Sequence, residues 1–154
     1  MVVAAIRPDD WNFALLLHVL GAMLLVGALV LAASALIVAW RGDTGALVRL
    51  GFRSLLLVAL PAWILMRVTA EWIASKEGLD DVDPTPSWVD IGYQTADTGL
   101  LVILVSTLLA GLAMRRAARA NGSGGGLGNT SAVLVSLLLI GYLVAIWAMT
   151  TKPT

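Results

Sequence analysis

The sequence predicts an all-α polytopic membrane protein, an antiparallel bundle of four transmembrane helices. Of its 154 residues, 59% are hydrophobic and only 13% are charged, and the mean hydropathy is +0.90. A domain that folds in water does not have this composition. The apolar residues form four runs, each near or beyond the roughly 20 residues that cross a bilayer. Leu, Ala, Val and Ile fill the runs without the alternation that is typical of barrel strands.

The four runs predict membrane spans at approximately 12–40, 51–76, 89–116 and 130–150 of a single domain. The first run is about 28 residues long, beyond the core of a signal peptide, which predicts a retained anchor. Pro61 lies inside the second run and removes a backbone donor, so we expect a bend there. The segment 121–129 is rich in glycine and predicts a flexible linker before the fourth span.

The basic residues predict the orientation of the spans. Six arginines flank the segments that join spans one to two and three to four: Arg41, Arg49, Arg53, Arg115, Arg116 and Arg119. The opposite ends carry one basic residue each, Arg7, Lys76 and Lys152. Because basic loops stay in the cytoplasm, we expect both termini outside a cell inner (plasma) membrane. The segment 76–88 is acidic, contains two prolines and predicts a solvated cap.

Charge and cysteine content exclude several classes of function. Ten basic and ten acidic residues balance, so the chain offers no basic face to nucleic acid. The absence of cysteine excludes disulfides and thiolate metal sites. No nucleophile is paired with a base along the spans, so an enzyme is the least supported class, and the expected partners are the bilayer and a homo-oligomer or larger membrane complex.

Polar residues inside the spans are the candidate functional residues. A charge at the membrane centre costs up to about 2.5–3.5 kcal/mol, and such residues therefore need partners. With a rise of about 1.5 Å per residue, His18, Arg67, Glu71 and Asp97 fall at similar depths near one edge. Arg67 and Glu71 are four residues apart on one helix stripe, which should face the bundle. We therefore expect Arg67 to pair with Glu71 and Asp97.

These residues and two neighbours predict a ligand-binding pocket. The stripe of small residues around His18 predicts that another helix packs closely on it. Gln94 shares the face of Asp97, and Tyr142 lies near mid-membrane, where its hydroxyl would line the pocket floor. The predicted ligand-binding residues are His18, Arg67, Glu71, Gln94, Asp97 and Tyr142. A divalent metal would use His18, Glu71 and Asp97 as its ligands.

Four segments carry a resemblance to known families. The stretch 18–27, from His18 to Gly27, resembles the opening of small bacterial membrane proteins of the DUF2269 group. The segments 66–78, 90–101 and 147–153 are similar to hypothetical proteins of actinobacteria, so that the likeness covers most of the chain. The resemblance implies four membrane helices and no assigned activity. A looser similarity to copper-resistance D-type membrane proteins rests on a first-helix histidine followed by glycine.

Three functional hypotheses follow from the residues. The first is a redox- or metal-associated protein whose outward-facing pocket binds haem, a quinone headgroup or a divalent metal. A haem held by two histidines would need a second copy, since the chain has one histidine. The second is a structural or assembly subunit in which the polar residues form only an ion-pair network. The third is a small transporter, for which no polar path continues past Arg67.

Overall fold

The computed structural model describes residues 9–42, 45–78, 87–120 and 125–151, which contain helices and no strand. The elements are α1 (Asp9–Gly42), α2 (Gly45–Ser54), a π-helical turn (Leu55–Ala59), α3 (Leu60–Glu77), α4 (Ser87–Ala120) and α5 (Gly126–Thr151). The segment from α2 through the π turn to α3 is continuous. With α1, α4 and α5 it makes four helical segments that are long and apolar enough to cross a membrane. The predicted all-α membrane fold is confirmed for these residues.

All four helical segments extend beyond the predicted spans. The second segment begins at Gly45, before the predicted residue 51, because α2 extends beyond the apolar run. The fourth begins at Gly126, inside the predicted linker 121–129. Gly125 has a φ of 63°, and its carbonyl accepts the N–H of Gly128 at 3.1 Å, so a left-handed glycine starts the helix. The rest of this linker (121–124) and most of the acidic cap (79–86) lie outside the described residues.

The helix contacts place each segment between two neighbours. α1 packs against α2, α3 and α5, and α4 packs against α5 and α2. Residue numbers run in opposite directions along neighbouring segments. His18 contacts Met66 while the hydroxyl of Ser54 donates to the carbonyl of Ala28. α3 makes few close backbone contacts with α4, in contrast to the shorter α2. The gap between the α3 and α4 backbones is therefore bridged mainly by side chains.

Large apolar side chains fill the centre of the bundle, and small residues let α1 approach α3. Leu25, Leu29, Leu55 and Ile103 are fully buried. A methyl group at Gly21 would lie 2.8 Å from the backbone nitrogen of Met66. The predicted stripe of small residues on α1 therefore lies in the interior. Many large apolar side chains are instead exposed on the perimeter, as expected of surface that faces lipid.

Pro61 is accommodated by the π turn. The N–H of Leu60 donates to the carbonyl of Leu55, five residues back, and Pro61 itself has no N–H to donate. A π turn contains more residues than an α-helical turn, so the faces of α2 and α3 are offset. The buried residues of α3 are Ala62, Met66, Thr69 and Ala74. The stripe of Arg67 was predicted to face the bundle; its Trp63 and Arg67 contact α4, while Glu71 is half-exposed.

Candidate functional site

Arg67 joins two carboxylates from two helices. Its Nη1 atom contacts Oε1 of Glu71, one turn along α3. Its Nε atom lies 3.3 Å from Oδ1 of Asp97 on α4. The predicted pairing of Arg67 with both acids is confirmed. Because one guanidinium serves both, Arg67 ties α3 to α4 at a level where their backbones make few contacts.

Tyr93 completes this group from the α4 side. The guanidinium carbon of Arg67 lies 4.5 Å from the centroid of the Tyr93 ring, a cation–π contact. The Tyr93 hydroxyl donates to Oε2 of Glu71 at 3.4 Å. We call Arg67, Glu71, Tyr93 and Asp97 the polar cluster. Tyr93 was not among the predicted site residues, although its place one turn before Asp97 was a signal that it shares that face.

The polar cluster lies on the flank of the bundle and carries an excess negative charge. The side chain of Arg67 is 22% exposed, whereas those of Glu71 and Asp97 are 50% and 63% exposed. One cation faces two carboxylates, so the group is anionic when all three are ionised. An exposed carboxylate on an apolar bundle is costly unless water, a headgroup or a ligand meets it. The cluster is therefore able to accept hydrogen bonds from outside the bundle.

A buried tyrosine and a tryptophan lie just behind the polar cluster. The indole N–H of Trp63 donates to the carbonyl of Ala96 at 2.9 Å, beside Asp97. The Tyr142 hydroxyl, on α5, packs against Gly99, where a side chain would collide with it. Trp63 packs against the buried core that contains Tyr142, and Asp97 lies two residues before Gly99 on α4. One turn of α4, residues 96–99, thus contacts side chains from α3 and α5.

The Tyr142 hydroxyl has no hydrogen-bond acceptor among the described residues. The residue is only 5% exposed, and the single indole N–H of neighbouring Trp63 is already donated to Ala96. An unsatisfied hydroxyl in an apolar interior costs about 1–3 kcal/mol. Such a group in a folded protein points to an acceptor, such as a water molecule or a ligand, that belongs beside it. The sequence predicted Tyr142 as a site residue, whereas the lack of an acceptor for its hydroxyl depends on tertiary packing.

His18 lies in the interface between α1 and α3. Its Nδ1 atom is 3.0 Å from the carbonyl oxygen of Met66. A carbonyl only accepts, so Nδ1 carries the hydrogen. The same carbonyl also accepts the hydroxyl of Thr69, at 3.1 Å. His18 is therefore an interhelical hydrogen-bond donor, and its partner is a backbone group rather than a carboxylate.

The predicted metal ligands are not assembled. Among the described residues, no three His, Asp or Glu side chains form a group that could hold a metal ion. The prediction that His18, Glu71 and Asp97 form one is wrong for this structure, because His18 serves α1 and α3 while both carboxylates hold Arg67. Gln94, another predicted site residue, is exposed on α4.

Comparisons with known proteins bear on neither the family nor the site. No protein-family model, no curated protein and no solved structure matches the chain. The resemblance to the DUF2269 group therefore stays a prediction, and function has to be argued from the residues.

Proposed function

We propose that this protein binds the headgroup of a membrane-dissolved quinone or quinol beside the polar cluster, between α3 and α4. The proposal includes the predicted orientation in a plasma membrane, with both termini outside. It joins two features: an exposed anionic cluster and a buried hydroxyl that has a hydrogen to donate.

The unpartnered hydroxyl of Tyr142 is the observation that carries the proposal. Its hydrogen needs an acceptor, and a quinone carbonyl oxygen or a quinol hydroxyl oxygen provides one. Asp97 lies two residues before Gly99, which the hydroxyl packs against, and is largely exposed, so its carboxylate can accept a further hydrogen bond. A quinol hydroxyl both accepts and donates, and therefore suits Tyr142 and Asp97 together. A quinone carbonyl satisfies Tyr142 alone.

The site suits this ligand class better than the other two predicted classes. A divalent metal would need several oxygen or nitrogen ligands around one point, and Arg67 occupies the space between the two carboxylates. A haem would need His18, whose hydrogen bond to Met66 lies in a different helix interface. The flat ring of a quinone or quinol also suits the aromatic side chains of Trp63 and Tyr93 on the same flank.

Tryptophan fluorescence tests binding at this place. The protein in lipid nanodiscs is titrated with decylubiquinone, which quenches nearby indoles. We expect saturable quenching that disappears in Trp63→Phe, since this indole lies beside the site. The matched control is Trp147→Phe, because Trp147 is 60% exposed on α5, and this variant should keep the saturable component. Linear, non-saturable quenching in all three proteins would contradict the proposal.

A structural or assembly subunit is the second candidate, and the charge of the polar cluster favours it. Two exposed carboxylates share one guanidinium, so a cationic side chain of a partner helix would neutralise the remaining negative charge. Affinity purification after mild solubilisation separates the candidates. A stoichiometric partner that is lost in Asp97→Asn favours assembly, whereas a lone protein that still binds quinone favours the ligand. The bundle centre does not support the transporter hypothesis, because the apolar side chains of Leu25, Leu55 and Ile103 fill it.

A further inference from the structure

The two ends of the bundle differ in charge. Six exposed arginines lie at the end formed by the end of α1, by α2 and by the end of α4. The one acidic residue of the sequence in these parts is Asp43, which lies outside the described residues. Within the part that the structure describes, no carboxylate forms an ion pair with these arginines. This end therefore presents unneutralised guanidinium groups to anionic chemistry.

A contact between α2 and α4 sets the positions of four exposed residues on either side of it, Arg49, Arg115, Leu56 and Leu108. The ring of Phe52 lies against Gly111, where a methyl group would be 3.0 Å from a ring carbon. Arg49 precedes Phe52 by three residues, and Arg115 follows Gly111 by four. Trp63 contacts Ala96 while Phe52 contacts Gly111, so α2–α3 and α4 run in opposite directions. Both arginines therefore lie about 4.5–6 Å beyond the contact, towards the same end.

Two leucines flank the same contact on its other side. Leu56 follows Phe52 by four residues, and Leu108 precedes Gly111 by three, so both lie about 4.5–6 Å towards the bundle centre. They are 40% and 69% exposed. Leu108 and Arg115 are seven residues apart on α4, a spacing that keeps both on nearly one face, and Leu56 lies just past α2 in the π turn. The paired faces therefore change from apolar to cationic along the axis.

We propose that this face binds one anionic phospholipid, with its phosphate between Arg49 and Arg115 and an acyl chain along Leu56 and Leu108. Guanidinium groups bind phosphate oxygens in pairs of parallel hydrogen bonds, and these charge-assisted bonds are strong. Arg53 and Arg116 extend the cationic surface on either side. The proposal depends neither on the quinone site nor on the orientation of the chain, since it uses another part of the bundle.

Charge complementarity selects this occupant. The change from leucine to arginine over two helical turns matches a lipid, whose acyl chain and phosphate are covalently joined. A soluble phosphate or an acidic protein segment would use the arginines but leave the leucines without a role. The packing of Phe52 on Gly111 fixes the two helices at this level, which makes the site a specific one and not a diffuse charge effect.

Native mass spectrometry of protein released from bilayers tests the proposal. The bilayers contain equal amounts of phosphatidylglycerol and phosphatidylcholine. We expect the wild type to retain one phosphatidylglycerol in preference to phosphatidylcholine. In the double variant Arg49→Gln with Arg115→Gln, the preference for phosphatidylglycerol over phosphatidylcholine should fall by about tenfold or more, as expected when charge-assisted hydrogen bonds are removed. The matched control, Arg41→Gln with Arg119→Gln, removes the same charge from the same end and should keep it.

Three outcomes would overturn the proposal. An equal loss of lipid preference in both double variants would show a diffuse charge effect, and no loss in either would show that the arginines do not hold the lipid. Displacement of the lipid by excess inorganic phosphate would show that the acyl chain contributes nothing, against the role of Leu56 and Leu108. The helical content and melting temperature of each variant, measured in parallel, separate lost binding from lost folding.

Discussion

The Nδ1 atom of His18 lies 3.0 Å from the carbonyl oxygen of Met66, so the single histidine of the chain joins α1 to α3. Gly21, one turn later, lets the two backbones approach at the same place. The bundle thus has a tightly packed interface on this side of α3. On the other side, towards α4, Trp63 and Arg67 bridge a wider separation. This asymmetry leaves the α4 flank of α3 as the place for a ligand.

The hydrogen bond of His18 predicts that the stability of a variant depends on where the new side chain places its nitrogen atom. The amide nitrogen of asparagine can occupy the place of Nδ1, whereas that of glutamine reaches beyond it. We expect His18→Asn to keep most of the stability, and His18→Leu to lose about 1 kcal/mol. His18→Gln should resemble the leucine variant. Unfolding followed by circular dichroism in detergent measures all three, and equal stability of the Asn and Leu variants would exclude the bond.

The close approach at Gly21 predicts that alanine substitutions at two glycines of α1 differ in their effect on stability. Gly21→Ala would place a methyl group against the Met66 backbone, which cannot yield as a flexible side chain does. We expect a loss of about 1–3 kcal/mol, typical of overpacking. The matched control is Gly27→Ala, because no atom lies within 4 Å of a methyl group there. This variant should be neutral or slightly more stable, since alanine favours the helix. Similar losses in both would place the α1–α3 contact elsewhere.

The polar cluster predicts coupled effects on stability. Removing Arg67 leaves two carboxylates without their cation, so Arg67→Leu should cost stability that Glu71→Gln partly restores. Because Glu71 is 50% exposed, we expect a coupling of only about 0.5–1 kcal/mol. A double-mutant cycle from reversible unfolding in micelles gives this value. Additive effects would mean that the two side chains do not interact.

The sequence predicted the helices well because length and hydropathy determine which segments can cross a bilayer. It also predicted the Arg67 ion pairs, since Glu71 lies one helical turn away and an intramembrane arginine needs neutralisation. It predicted that His18 faces a neighbouring helix but not its acceptor, because the acceptor is a backbone carbonyl that every residue possesses. The position of Tyr142 against Gly99 also depends on how two distant helices pack. The sequence did not predict the π turn at 55–59, because a uniform α-helical periodicity does not include one.

The orientation can be measured directly, because the chain has no cysteine and single cysteines can be introduced without background. With both termini outside, Asp81→Cys should react with a membrane-impermeant maleimide in intact cells. Ser123→Cys should be protected until the membrane is opened with detergent. The reverse pattern would invert the topology and place the polar cluster near the cytoplasmic side.

The affinity of the Tyr142→Phe variant for decylubiquinol is the most direct test of the proposed ligand site. The change removes a hydroxyl that has no acceptor among the described residues, so the ligand-free variant should be as stable as the wild type or more stable. Binding is measured as the saturable rise in melting temperature on addition of the quinol. We expect the rise to be lost in Tyr142→Phe, and Asp97→Asn to bind quinol no better than quinone. An undiminished rise in Tyr142→Phe, with wild-type preference for quinol in Asp97→Asn, would contradict the site.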